Sequence, residues 1–579
     1  MAEIRATYLL PKWLKSYRRQ WLPGDATAAL IATMMLVPQA LAYGTLAGLP
    51  PHIGLYAGLF PLIGYALFGT SSVLSVGPVA VLALMTASAV SPIAPPGTDA
   101  YVEGTILLAA LSGVFLLAMG LLRLGALSNL LSHPVINGFV SGAATLIILG
   151  QVGPLLGVES SGNTLVQLIS VTISDLETIN PFTATVGVTA VAMLICARLG
   201  LARLARRLGL NESGAKLLAR VAPMLVLLLA ITLAYFLHWD EHLEVVGSIP
   251  AGLPKLGLPA INWGLTYQLL LPALIIALLG FAESLSVAHA IAQRRGERLD
   301  PNAELFGLGA ANLASAFSGA FAVTGSFART AINDEGGAHT PLSGVMAALL
   351  MVLVLLFLTG LFEQLPLCVL AATIIVTAAN LIDVKGFVHN WRYDHADGSA
   401  MAGTFLGVLM FGVEAGIGLG IALSFATLVW RSSRPHIAVV GRVSGTEHFR
   451  NVLRHTVETR PQILFLRIDE SLFFSNISAV EDRLLSELKR HPDIRHLVLI
   501  LSSVNRIDGT ALERLFQVNR DLKSRNICLH LSEVKGPVLD RLSRSKLLGQ
   551  LTGRIFLSTY IAELALRQDT QQEPQAGQT

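Results

Sequence analysis

A chain of 579 residues that is 53% hydrophobic and only 14% charged does not have a soluble protein's composition, in which about a quarter of residues are charged. Mean hydropathy is +0.62, and the formal charge of +3 points to no polyanionic partner such as nucleic acid, because the basic residues sort by loop instead of forming one patch. Cys196, Cys368 and Cys528 lie far apart without ligand spacing, which excludes a disulfide framework or a cysteine metal site.

The N-terminal segment, 1–23, contains PKWLKSYRRQW, a basic stretch before the first apolar run. The run that follows is long for a signal peptide and leads at once into another, so it reads as a first transmembrane helix. Apolar runs then fall at 26–46, 53–70, 75–90, 101–122, 134–153, 181–199, 219–237, 268–291, 302–320, 327–336, 342–361, 366–383, 399–413 and 415–430. Fourteen candidate segments between residues 24 and 432 predict a polytopic membrane domain.

Basic residues favour cytoplasmic loops. With the N-terminus inside, even-numbered segments end inside. Arg198, Arg203, Arg206, Arg207, Lys216 and Arg220 follow the sixth, Arg294, Arg295 and Arg298 the eighth, and Arg431 and Arg434 the last. The connections expected outside hold Glu159, Asp175 and Glu177, then Asp240, Glu241 and Glu244. Both termini are therefore expected in the cytoplasm of a cell whose inner membrane the chain crosses.

Two runs are short. SVLSVGPVAVLALM (72–85) starts as a β-like stretch broken by Gly77-Pro78, and AFAVTGSFARTAIND (320–334) starts likewise and is broken by Gly325. One is the third segment and the other the third after a repeat boundary near 266. Interrupted segments at matching places predict an inverted repeat of seven plus seven, 24–238 and 266–432, with the substrate site where the halves meet. Extended backbone at that depth is tolerated only inside protein or along a cavity.

From residue 433 the composition becomes that of a soluble protein. Residues 433–460 read as a linker. In 461–567, strands QILFLRI, HLVLILSS and NICLHLS alternate with helices from Ser478 and Thr510, which predicts a small α/β domain. The tail 568–579 is polar and expected to be disordered.

Two helix N-termini aimed at one point form an anion site, because each presents unpaired N–H groups and the positive end of a macrodipole. Arg329 stands in the first turn of the second. An intramembrane arginine costs about 2.5–3.5 kcal/mol, so it faces a cavity and has a partner; its planar fork suits a carboxylate or a tetrahedral oxyanion. A purely structural salt bridge is the competing reading. Glu283, about four turns from the basic end of the eighth segment, is the partner expected from sequence and a candidate proton carrier. Gln39 and Tyr43, at i and i+4, share a face of the first helix and suit an oxyanion, or else bond between helices. His238 and His242 lack further spaced ligands, GIGLG (416–420) is a close-packing motif, and no hydrolase or P-loop signature occurs, so neither an enzyme nor a bound metal or cofactor is expected.

VPQALAYGTLAGLPPHIGLYAGLFP (37–61), SVGPVAV, TGSFARTAIND and RPHIAVVGRV resemble the sulfate permease (SulP) family over residues 10–565, and the soluble module resembles a STAS domain. The resemblance implies a uracil-permease-like fold of core and gate domains, an elevator mechanism and a homodimer. It also implies an anion site at Gln39, Tyr43, the backbone of Val79 and Ala80, Ser326, Phe327 and Arg329. Proton-coupled plant sulfate transporters of that family are similar in having a glutamate at the Glu283 position and an arginine at the Arg329 position. Val287 stands where sodium-dependent relatives carry a hydroxyl. The expectation is proton-coupled sulfate symport, against bicarbonate or dicarboxylate transport, uncoupled exchange or a channel. By resemblance Thr510 is the candidate phosphorylation site of the STAS domain, or else a helix cap, and the domain could recruit a cytosolic partner.

Overall fold

The computed structural model describes residues 11–126, 132–158, 162–209, 211–260 and 262–572. Glu159 and the tail from 573 onward lie outside the described residues. The chain divides into two compact units, Met1–Ser424 and Phe425–Thr579.

All fourteen apolar runs are helical in the structure. In chain order they are α1 (Leu22–Leu46), α2 (Pro51–Tyr56 and Phe60–Phe68), α3 (Ala80–Val90), α4 (Asp99–Leu121), α5 (His133–Gly150), α6 (Pro181–Cys196) and α7 (Glu212–Leu237). The second set is α8 (Trp263–Arg295), α9 (Pro301–Phe317), α10 (Phe327–Glu335), α11 (Leu342–Leu353), α12 (Leu367–Ala379), α13 (His395–Phe411) and α14 (Val413–Ser433). Their ends carry ordinary stop and start chemistry. Asn180, Asn262, Asp300 and Asp394 accept first-turn N–H groups as N-caps, and α8 stops where Gly296 turns left-handed at φ +68°.

The half-length elements are α3, 11 residues, and α10, 9 residues. At 1.5 Å per residue each rises about half of a hydrocarbon core. A two-residue strand precedes each: β1 (Val76–Gly77) and β2 (Thr324–Gly325). They pair antiparallel, Val76 with Gly325 and Gly77 with Thr324. Antiparallel pairing of equivalent segments is what two repeats of opposite topology produce. The GIGLG run packs as its composition predicts: a Cβ at Gly416 would lie 2.5 Å from the Cα of Val408, so α13 and α14 meet backbone to backbone. Two further helices follow the fifth helix of each repeat, Leu165–Ser174 and Val384–Tyr393; the apolar-run reading did not separate them.

In the second unit a six-stranded sheet has the order β4 (Phe449–Asn451), β3 (Ile437–Arg442), β5 (Ile463–Ile468), β6 (His496–Ile500), β7 (Cys528–Ser532), β8 (Ile555–Phe556). Strands β5 to β8 are parallel, and β3 is antiparallel to both neighbours. This corrects the expected linker. Residues 437–442 and 449–451 are sheet strands, because β3 alternates half-buried residues with buried ones, Ala438 and Val440, that pack on β5. Helices α15 (Ile477–Arg490), α16 (Gly509–Ser524) and α17 (Gly536–Ser543) cover one face over Leu464, Leu466, Leu497 and Leu499. Helix α18 (Thr559–Gln572) covers the other over Phe465, Val498 and Ile500. With both faces buried, the parallel strands read as continuous apolar runs. Residues 568–572, expected in a disordered tail, are helical, because α18 runs to Gln572.

Thr510 is exposed in the first turn of α16 and does not cap it. Asp508 does, accepting the Ala511 N–H at 2.8 Å; the cap expected of Thr510 is one residue pair too late, since Gly509 is already helical.

One buried titratable group in this unit has a defined proton count. His530 on β7 accepts the Arg554 N–H at Nδ1, 3.0 Å, so its proton sits on Nε2, 3.1 Å from His496 Nδ1. Burial first, then the neighbouring His496 and Arg554, push it down to about 4, with Asp569 acting weakly the other way. The unfolded chain therefore takes up a proton that the folded domain refuses. Its stabilising contribution is whole above the unfolded value, about 6.5, and is lost as pH falls from there toward 4. Hydrogen exchange of the β7 amides in the full chain, corrected for intrinsic rates, should show protection falling between pH 6.5 and 4.5. His530→Gln should flatten that dependence.

Candidate functional site

The pairing of β1 with β2 brings the N-terminal ends of α3 and α10 together. Helix α3 begins after Val79, which is extended, and no side chain caps it. Val79 and Ala80 are buried, so its first-turn N–H groups are presented without a side-chain acceptor. Helix α10 is capped by Ser326, whose oxygen accepts the Arg329 N–H at 3.5 Å. Phe327, the first helical residue, is 56% exposed.

Arg329 is 1% exposed and among the largest fully buried side chains of the molecule. Its Nη1 donates to Gln39 Oε1 on α1, 3.1 Å, and to the Pro78 carbonyl between β1 and α3, 2.8 Å. Nε and Nη2 are buried without a hydrogen-bond partner. These two nitrogens form one edge of the guanidinium, with two near-parallel N–H vectors spaced to meet two oxygens of one group. A Cβ on Gly77 would stand 3.2 Å from Nη2, so the missing side chain there makes room for the guanidinium.

Glu283, the partner expected from sequence, interacts with Arg329 through charge and not through a hydrogen bond. The arginine spends its bonded end on Gln39 and a carbonyl, and Glu283 Oε2 is buried with no hydrogen-bond partner. Tyr43, Glu283 and Arg329 remain within reach of each other's charges. Tyr43 is buried one turn beyond Gln39 on α1. Thus Gln39, Tyr43, Val79, Ala80, Ser326, Phe327, Arg329 and Glu283 gather around the two helix ends, while Thr510 belongs to the other unit.

A second set of polar residues, not anticipated from sequence, fixes this arrangement. Ser284, next to Glu283, lies 2.6 Å from Thr324 Oγ1 and accepts the Gly325 N–H at 2.8 Å. Asn312 on α9 brackets Val323, accepting its N–H at 3.0 Å and donating to its carbonyl at 2.9 Å. Two residues of α10 hold the approach to β1: Thr330 Oγ1 accepts the Ser75 N–H at 3.1 Å, and Asn333 Nδ2 donates to the Val73 carbonyl at 2.8 Å. Two wholly buried carboxylates act across the repeats. Glu304 on α9 accepts from Tyr65 OH at 2.7 Å and from the Thr70 and Ser71 N–H groups at 2.8 and 3.0 Å. Asp25 on α1 accepts from His339 N, Thr340 N and Thr340 Oγ1, at 2.7, 3.1 and 2.8 Å. An acid inside or at the edge of an apolar run is the only sequence signal that Glu304 and Asp25 offered.

A polytopic helical unit in which a buried arginine faces two opposed half-helices, joined in sequence to an α/β module, defines a membrane transporter of anions. The comparisons with known proteins agree. The sequence matches the sulfate permease family over residues 22–404 and the STAS domain over 454–560, and the chain belongs to the sulfate permease family. It is 35% identical to Probable sulfate transporter 4.2 of Arabidopsis thaliana, over 92% of this chain and 79% of that protein. It is 32% identical to a probable sulfate transporter of Mycobacterium tuberculosis, over 96% and 97%. In fold it is similar to the murine Slc26a9 anion transporter solved in the inward-facing state, TM-score 0.86 at 19% identity, over 97% and 94% of the two chains. It is also similar to the transmembrane domain of the cyanobacterial bicarbonate transporter BicA, TM-score 0.59 at 23% identity, over 71% and 98%. Its relatives are named as transporters, and the chain is not an enzyme.

Asn312→Leu leaves the N–H and carbonyl of buried Val323 without their side-chain partner, a loss of about 1–3 kcal/mol for each unsatisfied group. Thermal unfolding in detergent should fall by several degrees, with a larger loss of uptake than of folded protein, because β2 carries α10.

Proposed function

We propose that this protein is a secondary active transporter that imports sulfate with a proton, moving its site by an elevator-type alternating-access mechanism. It would work as a homodimer in the cell membrane with both termini cytoplasmic. The single observation that carries the reading is the unpartnered Nε–Nη2 edge of Arg329, buried between two helix N-termini. A buried cationic fork with its other end already bonded is complementary to an oxyanion that supplies two acceptors. The names of the relatives favour sulfate over bicarbonate or a dicarboxylate.

In this reading each residue has a distinct task. Gln39 and the Pro78 carbonyl hold the guanidinium so that its free edge faces the anion. The first-turn N–H groups at Ala80 and the capping hydroxyl of Ser326 meet the remaining oxygens, and Tyr43 and Phe327 line the approach. Glu283 sets the timing. Ionised, it competes with the anion for the positive charge of Arg329; protonated, it leaves that charge to the substrate. Anion and proton are thereby taken up together, since two negative groups at one arginine are unfavourable in a dry site. The elevator reading is supported by the ties around the site. Arg295 on α8 bonds Asp334 of α10 and the Ala338 carbonyl, both at 2.6 Å, and Ser326 N donates to Ser75 O at 3.0 Å. The two half-helices and α8 can thus travel as one block.

Proteoliposome uptake of sulfate, bicarbonate and a dicarboxylate, at two pH values and with and without sodium, tests the assignment. Sulfate uptake driven by an inward proton gradient is expected, without a sodium requirement. Glu283→Gln should abolish the pH-driven component while retaining sulfate exchange; unchanged pH dependence would remove Glu283 from coupling. Arg329→Lys keeps the charge but loses the fork, and should raise the sulfate KM by about tenfold or more.

A further inference from the structure

The short helix Val384–Tyr393 has no buried residue. Val384, Val388 and Trp391 are exposed, and at about 100° per residue they share one arc of its surface. Arg392, Lys385 and His389, also exposed, occupy the adjoining arc. The acids at its two ends are engaged as helix caps. Asp383 caps this helix at Gly386 N, 2.8 Å, and Asp394 caps α13 at Ala396 N, 2.8 Å. An apolar stripe flanked by cations is the pattern of a helix lying in a membrane interface, with its basic side chains at the headgroups.

The inverted repeat supplies an internal control. The equivalent helix after α5, Leu165–Ser174, exposes Val166, Ile169 and Ile173 in the same way. Yet the sequence from 157 to 197 contains no lysine or arginine, and Asp175 and Glu177 follow the helix. Two elements of one design thus face opposite sides of the membrane, and only one carries cations. Fold alone would have treated both alike, so the difference follows the surface each one meets.

We infer that Val384–Tyr393 is a binding element for anionic lipid headgroups, with Lys385 and Arg392 on the phosphates and Val384, Val388 and Trp391 in the acyl region. The helix is seated on the gate-side frame. Ser141 of α5 accepts the Asp383 N–H at 3.2 Å, and a Cβ at Gly398 of α13 would lie 2.8 Å from the Trp391 backbone. Lipid held there fixes the α5–α13 pair at the bilayer surface. The inference rests on the orientation proposed above, with this helix on the cytoplasmic side, and not on which anion is carried.

The test uses the full chain in vesicles of phosphatidylcholine doped with brominated phosphatidylcholine or brominated phosphatidylglycerol. The Trp391 signal is taken as the difference between wild type and Trp391→Phe. Phosphatidylglycerol should associate at Trp391 about fivefold more strongly than phosphatidylcholine, the preference one nearby cation confers. Lys385→Gln combined with Arg392→Gln should bring the ratio to one, and a tryptophan placed by Ile173→Trp on the other helix should give a ratio near one from the start. Equal quenching by both lipids in the wild type, a preference that survives the double substitution, or the same preference at position 173 would each overturn the inference. Because the readout is fluorescence, failure of the transport assignment leaves this outcome unaffected.

Discussion

Extended backbone inside an apolar protein has to find its hydrogen bonds within the protein. Here two such stretches satisfy each other. Val76–Gly77 and Thr324–Gly325 pair antiparallel, and that contact sets everything around it. It aims two helix ends at one place, puts the Pro78 carbonyl under Arg329, and brings Gln39 to the same guanidinium. A bond of so few residues would not hold alone. Asn312, Ser284, Thr330 and Asn333 supply the remaining partners from α8, α9 and α10, so the site is carried by a hydrogen-bonded block instead of by a flexible loop.

The buried arginine is stable there because its charge is met by dipoles. A carbonyl and an amide oxygen occupy one end, and the negative groups within electrostatic reach are not hydrogen-bonded to it. The desolvated edge left over is a standing demand for acceptors. In the proposed mechanism that demand links structure to transport: an anion would satisfy it, and a proton on Glu283 would leave it free to be satisfied. The buried carboxylates Asp25 and Glu304 differ in kind. Their oxygens are filled by backbone N–H, hydroxyl and phenol donors, which makes them clamps between repeats.

The same symmetry that builds the site also exposes its exceptions. Equivalent helices after α5 and α12 share an apolar stripe but not a charge. In the soluble unit, β3 and β4 show how an edge is recruited from what looks like a linker. The strands are short, only part of each is buried, and Gly441 lies within β3 and Gly445 between the two, so no long apolar run announced them.

The sequence by itself determined the fourteen apolar segments and their pairing into two repeats, though not the two short helices that follow α5 and α12, because apolar length and Gly/Pro interruption are local properties of a chain in lipid. It also marked Gln39, Arg329 and Glu283, since polar groups in such runs are few. Tertiary structure alone decided who bonds with whom. Arg329 chose Gln39 and a carbonyl over Glu283, Asp508 and not Thr510 capped α16, and residues 437–451 joined the sheet. Each of these depends on distances between segments far apart in the chain, and spacing along a sequence carries no such distance.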